Sequence, residues 1–154
     1  MAQFDTLIVG GRIVDGSGNP WFYGDLAITG ETIARVAPPG TIDPASAATV
    51  IDASEHVVAP GFIDIQSHSI IPWLSDSRSV SKVTQGVTTE ILGEGWTPAP
   101  YGGKIESAFT GALINRIGEA EAAEWEELAH SWSRFGDWLA EFERRGVSVN
   151  FGSF

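Results

Sequence analysis

Two compact apolar runs, Gly61–Ile65 and Val87–Leu92, each lead into a polar turn, the first carrying Gln66-Ser67-His68-Ser69 and the second Gly93-Glu94-Gly95-Trp96. Short apolar runs bounded by such turns suit strands of a parallel sheet covered on both faces. Parallel neighbours need a crossover, and Pro72–Gln85 mixes Trp73, Leu74, Val80 and Val83 with polar residues, as a short connecting helix does. A longer helical signal follows. From Glu119 to Arg145, Trp125, Leu128, Trp132, Phe135, Trp138, Leu139 and Phe142 recur at steps of three and four. Acidic residues near its start and Arg144-Arg145 near its end complement the helix dipole. Gly136 is a place for that helix to break in two, and Gly146 a natural stop. Val147–Phe151 then reads as a third strand. The alternation of strands and helices predicts an α/β class built from right-handed βαβ units.

The first part of the chain has a different character. Thr6–Val9 and Arg12–Val14, separated by Gly10-Gly11, predict a tight hairpin, because paired glycines supply positive φ. Asp25–Thr29 and Thr32–Val36 around Gly30-Glu31 predict a second hairpin with one half-buried face. Thr49–Asp52 and His56–Val58 read as two further short strands. The expected organisation is therefore a β portion over residues 1–58 and an α/β portion over 59–154.

Composition narrows the class. Nine basic against twenty acidic side chains give a net charge of -11, which argues against nucleic acid or an anionic membrane as partner. The chain has no cysteine, so it offers neither a disulfide framework nor a thiolate ligand or nucleophile. Met1–Val9 lacks a basic leader, and no segment approaches the roughly 20 apolar residues of a membrane span. A soluble cytoplasmic protein is the expectation.

The chemistry-bearing residues lie at the polar ends of the two apolar runs. Side chains of an extended segment alternate, so Gln66 and His68 fall on one side and can approach one cation. An amide is a weaker zinc ligand than an imidazole, which places His68 first and Gln66 last as ligands. His68 also reads as a hydrogen-bonding cap on the strand. Asp64 reads as an acceptor supporting its neighbours rather than as a catalytic group. Glu94 could ligate a metal, act as a base or bind a cationic group, or remain a solvated loop residue. Trp96 could wall a substrate or simply pack its loop. Glu90, inside the second run, calls for a basic or hydroxyl partner between sheet and helix. His56 and His130 read as structural or surface residues, and Ser67 and Ser69 have no identifiable base, so a serine triad has little support. Gly16-Ser17-Gly18-Asn19-Pro20 lacks the third glycine of a dinucleotide fingerprint and reads as a turn.

Taken together, Val58-Ala59-Pro60-Gly61-Phe62-Ile63-Asp64, Gln85-Gly86-Val87-Thr88-Thr89 and Val149-Asn150-Phe151 resemble the N-terminal portion of the amidohydrolase superfamily, in its N-acyl-D-amino-acid deacylase (D-aminoacylase) branch. The resemblance implies a (β/α)8 TIM-type barrel preceded by part of a small β-sandwich, incomplete within these residues. It implies hydrolysis of an amide C–N bond of a small acylated amino acid by metal-activated water. Members commonly have histidine where this chain has Gln66, and a metal-binding cysteine in the turn where it has Glu94-Gly95-Trp96. The expectation is one zinc ion, or another divalent metal, held by His68 with Glu94 and weakly Gln66. Further ligands and the base would come from barrel polypeptide beyond these residues, in the same or a separate chain, and an oligomer stays open. Two alternatives remain: a cyclic amidase of dihydroorotase or hydantoinase type, and a catalytically silent binding or assembly protein on the same scaffold.

Overall fold

The computed structural model describes residues 2–94, 97 and 115–154, and the chain divides into two compact units, Met1–Pro60 and Gly61–Phe154. Trp96 lies outside the described residues. No helix among those described is long and apolar enough to cross a membrane.

The first unit is a sheet of β1 (Phe4–Ile13), β2 (Phe22–Thr29), β3 (Thr32–Ala37), β4 (Ala47–Asp52) and β5 (Val57–Val58). Its order is β3-β2-β1-β4, with β5 also paired to β1. The β2–β3 hairpin turns at Gly30-Glu31 as its alternation predicts. The hairpin expected at Gly10-Gly11 does not form. β1 runs straight through both glycines, and its register against β2 shifts between Ile8 and Gly11. Gly10 takes φ +71° in this bulge and donates its N–H to the buried Asp25 at 2.9 Å. The other Asp25 oxygen accepts from Gly40 N–H at 2.6 Å. Positive φ thus serves a bulge pinned by a distant carboxylate, a use that the glycine pair does not distinguish from a turn.

The second unit carries a three-stranded parallel sheet, β6 (Phe62–Asp64), β7 (Val87–Leu92) and β8 (Asn150–Ser153), in the order β6-β7-β8. Between β6 and β7 lie α1 (Ile70–Ser75) and α2 (Val80–Val83), two short helices rather than one. Between β7 and β8 lie α3 (Glu119–His130) and α4 (Phe135–Arg145). The break between them falls at Ser131–Arg134, not at Gly136, which lies inside the first turn of α4. Asp137 explains it: its carboxylate accepts the N–H groups of Ser133 at 2.9 Å and Arg134 at 2.8 Å, starting a new helix there. α4 stops at Gly146, whose φ is +83°. The aromatic stripe is a core. Trp73, Leu92, Trp125, Trp138 and Phe142 are buried together, and the Phe142 ring touches Trp73, Trp125, Trp138 and Phe151.

The expectation that both parallel runs are covered on both faces is met only in part: β7 buries Glu90 and Leu92 on one face and half-buries Val87, Thr89 and Ile91 on the other. Among the described residues β6 has one neighbour, and Phe62, Ile63 and Ile65 are 64%, 62% and 69% exposed. Gly61 is set by the approach of β7: a Cβ there would lie 2.6 Å from Thr88 Cβ and nearer still to Thr88 Oγ1 and Cγ2. Gly61→Ala is expected to destabilise this unit by about 1–3 kcal/mol through overpacking, measured by urea denaturation; wild-type stability would contradict the close packing of β6 on β7.

Candidate functional site

β6 ends at Asp64, the chain turns over Ile65-Gln66, and Ser67-His68-Ser69 leads into α1. Beside it β7 ends at Leu92, and Gly93 at φ +89° turns the chain so that Glu94 faces the same rim. A side chain at Gly93 would collide with Ser153, so this hinge also needs glycine for space.

Three of the residues singled out from sequence meet here. Gln66 Nε2 donates to Glu94 Oε2 at 2.7 Å, and His68 Nε2 lies 3.9 Å from the same oxygen. The amide nitrogen is assigned as the donor because its partner is a carboxylate. Strand alternation is not what aligns them, since Gln66 and His68 follow the end of β6. Their side chains project to solvent because the residues between and after them, Ser67 and Ser69, are buried. His68 and Glu94 side chains are 75% and 51% exposed, an open rim rather than a closed site.

Behind the rim is a second layer of polar groups. Asp64 accepts a hydrogen bond from the Lys82 ammonium and another from Gln66 N–H at 3.1 Å. The lysine contact first, and then the amide, hold the Asp64 carboxyl below its ordinary value, against a smaller opposing effect of burial. Lys82 Nζ also lies 3.8 Å from Glu90 Oε2. Glu90 is fully buried and receives the hydroxyls of Ser67 and Ser69, with Ser79 Oγ 3.5 Å from its other oxygen. Ser79 in turn accepts from Trp73 Nε1 at 2.7 Å, joining this polar layer to the aromatic core. The sequence reading gave Glu90 such partners but not their identity. Ser67, Ser69, Ser79 and Lys82 were missed as a group; the signal available was a charged residue inside an apolar run, which obliges partners nearby. Among the described residues His56 and His130 bond local carbonyls, Ser54 O at 2.9 Å and Glu126 O at 2.7 Å.

Imidazole and carboxylate both suit zinc, and two ligands of one tetrahedral ion stand about 3.3 Å apart. The His68–Glu94 separation of 3.9 Å needs only a small closure to match. Two donors are an incomplete set, and among the described residues no third His, Cys, Asp or Glu joins them. The residues present therefore fit part of a divalent-cation site. Beside it a cavity of about 470 Å³ is lined by Gln66, His68, Ser69, Trp73, Lys82 and Arg116, among others.

No protein-family model matches the chain. It is 34% identical over 148 residues to a D-aminoacylase of Alcaligenes xylosoxydans xylosoxydans, covering 96% of this chain and 28% of that relative. A D-aminoacylase structure solved for the role of its binuclear metal centre superposes with a TM-score of 0.74 and 27% identity, over 98% of this chain and 29% of that one. The N-acyl-D-glutamate deacylase of Bordetella bronchiseptica, solved with zinc and a phosphonate inhibitor, gives 0.67 and 26%, over 99% of this chain and 29% of that one. The chain thus spans under a third of the length of the relatives it matches.

The depressed Asp64 pKa gives a sign to acid sensitivity. Its ionised form is favoured by folding, so the contribution is complete above the unfolded value of about 3.9 and is lost as pH falls through the lower folded value. Asp64→Asn should flatten the fall in stability as pH drops below about 4, followed by urea midpoints at successive pH values. An unchanged slope would mean that Lys82 does not stabilise the Asp64 carboxylate.

Proposed function

We propose, because this chain belongs to the D-aminoacylase branch of the amidohydrolase superfamily, that it is part of a metal-dependent hydrolase of the amide bond in an N-acyl-D-amino acid. The observation that carries the proposal is the convergence of Gln66, His68 and Glu94 at the carboxyl ends of adjacent parallel strands. That end of a parallel α/β sheet is where catalytic groups collect.

In this reading His68 and Glu94 hold a single divalent ion, with zinc favoured by the imidazole and carboxylate donors. A relative solved with zinc, and another described by one-metal activation and second-metal attenuation, support that choice. When bound, such an ion polarises an amide carbonyl and lowers the pKa of water. The chain's own residues do the rest of what is assigned here. Gln66 holds the Glu94 carboxylate in place through its amide N–H. Asp64 and Lys82 hold the Gln66 backbone. The adjacent cavity is large enough for a small acylated amino acid. The remaining ligands and the general base belong to further barrel strands. Support for those strands comes from β6, which among the described residues pairs only with β7, and from the exposed Phe62, Ile63 and Ile65 on and beside it, a surface suited to burial by another parallel strand and its helix.

The assay is hydrolysis of N-acyl-D-amino acids by this chain together with the remainder of its barrel, against N-acyl-L-amino acids and a cyclic amide. Activity on the D-series is expected, lost on chelation and restored by zinc. His68→Ala should lower kcat/KM by a factor of about 100 or more. Turnover confined to the cyclic amide would move the protein to another substrate class. Activity that survives complete metal removal would sink the proposal.

The amide at position 66 generates a second expectation. Gln66→His should raise the number of tightly bound zinc ions, from one toward two per chain, because imidazole replaces a weaker ligand. Metal content after dialysis checks it, and an unchanged count would show that Gln66 is not what limits the site to one ion.

A further inference from the structure

Glu90 lies in the middle of β7 with none of its surface exposed, on the same face as the buried Leu92. A carboxyl group there is strongly destabilising unless hydrogen bonds replace its water. The replacements come mainly from one short loop. Ser67 and Ser69 both donate to Glu90 Oε2, and they are the residues on either side of His68.

The conformation of Ser69 shows what this contact displaces. Ser69 is the N-cap of α1, yet its hydroxyl makes no capping bond. A serine cap ordinarily satisfies an N–H of the first turn, and here that hydroxyl is turned to Glu90 instead. Ser67 is held just as firmly: its N–H donates to Ile91 O at 3.0 Å, and its Oγ accepts from Ser69 N–H at 3.2 Å. Ser67 and Ser69 are thus tied inward to β7, and Gln66 and His68 face outward to Glu94. A shift of one residue would bring His68 against Glu90 and send both serines to solvent. Through Lys82 the same carboxylate is linked to Asp64, and so to the Gln66 backbone.

We propose that Glu90 is a positioning residue: by holding Ser67 and Ser69 from behind the sheet, it fixes His68 in the direction of Glu94. Its consequence for metal affinity rests on the hydrolase reading given above, whereas the fixing of His68 does not. Glu90→Gln keeps the shape but removes the charge: its single oxygen can still accept from Ser67 and Ser69, only through weaker neutral hydrogen bonds, and the attraction to Lys82 is lost, so the hold on the loop is loosened.

The test uses the complete protein with zinc as the only added ligand, together with the ring nitrogen resonances of His68 in the metal-free protein at one fixed pH. Glu90→Gln is expected to weaken zinc binding 10- to 100-fold and to broaden or split the His68 signal. The pair Ser67→Ala with Ser69→Ala should do the same. Combining both changes should add little, since they remove one shared interaction. Under assay, kcat should fall while KM stays within about twofold, the pattern of a misplaced reacting centre. Leu92→Ala, on the same strand and face, supplies the comparison: it should lower thermal stability at least as much, yet leave zinc affinity and a single His68 signal unchanged. Folded Glu90→Gln and double-serine proteins with wild-type His68 signals would overturn the proposal. So would a His68 signal disturbed equally by Leu92→Ala. Should Glu90→Gln fail to fold, the serine pair decides on the same readouts. A wild-type protein that binds no zinc would remove the hydrolase reading alone, and the His68 signal would still decide the role of Glu90.

Discussion

A carboxyl group shut away from water in the middle of a parallel strand is the constraint around which the second unit is arranged. Glu90 has to be met by donors, and the donors come from segments otherwise free to vary: the β6–α1 loop, the residue before α2, and α2 itself. Meeting it fixes the path of the loop. An apolar residue at position 90 would fill the space without that obligation, and buried polar networks are often no more stabilising than a well-packed apolar core. What the polar version supplies is direction, because hydrogen bonds are angular and hydrophobic contacts are not.

The network is anchored by the aromatic layer. Trp73 belongs to both: its ring packs edge-on to Phe142 and Phe151, and its Nε1 donates to Ser79, which approaches Glu90. α1 is only six residues long and is too short to be stable alone. Its position follows from Ile70, Trp73 and Leu74, all buried in the layer that α3 and α4 complete. Packing of the helix layer therefore determines where Ser69 begins α1, and the carboxylate determines which way the serine hydroxyl turns. Neither alone would hold the loop.

Much of this was legible in the sequence, and the exceptions share a cause. β7, the β2–β3 hairpin, the aromatic stripe and the stop at Gly146 all depend on residues close in sequence, where periodicity and turn chemistry act. The through-running β1 depends on Asp25 reaching Gly10 across fifteen positions, so two adjacent glycines read equally well as a turn. The break at Ser131–Arg134 depends on the Asp137 side chain capturing backbone N–H groups, and Gly136 offered a more obvious but unused breaking point. At the site, the convergence of Gln66 and His68 was anticipated for a reason that does not apply, since β6 ends at Asp64. The true reason is the pairing of Asp64 with Glu90 in parallel register, which brings the flanking serines over the carboxylate. That register links residues 26 positions apart, which no local pattern encodes.

The glutamine at position 66 takes on a different sense in this geometry. As a ligand it is poor, and a comparison with imidazole makes it look like a loss. Its observed partner is Glu94, and the bond it makes is one that a metal-bound imidazole could not direct there through the same nitrogen. A carboxylate that is half exposed, on a turn following a glycine hinge, would otherwise be free to rotate into solvent. The amide N–H restrains it within 3.9 Å of His68. In the one-ion reading, position 66 thus serves the cation indirectly, by restraining one of the two ligands that these strands supply, just as Glu90 restrains the other. The exposed pair at the rim is held from two sides by groups that do not themselves need to touch the ion.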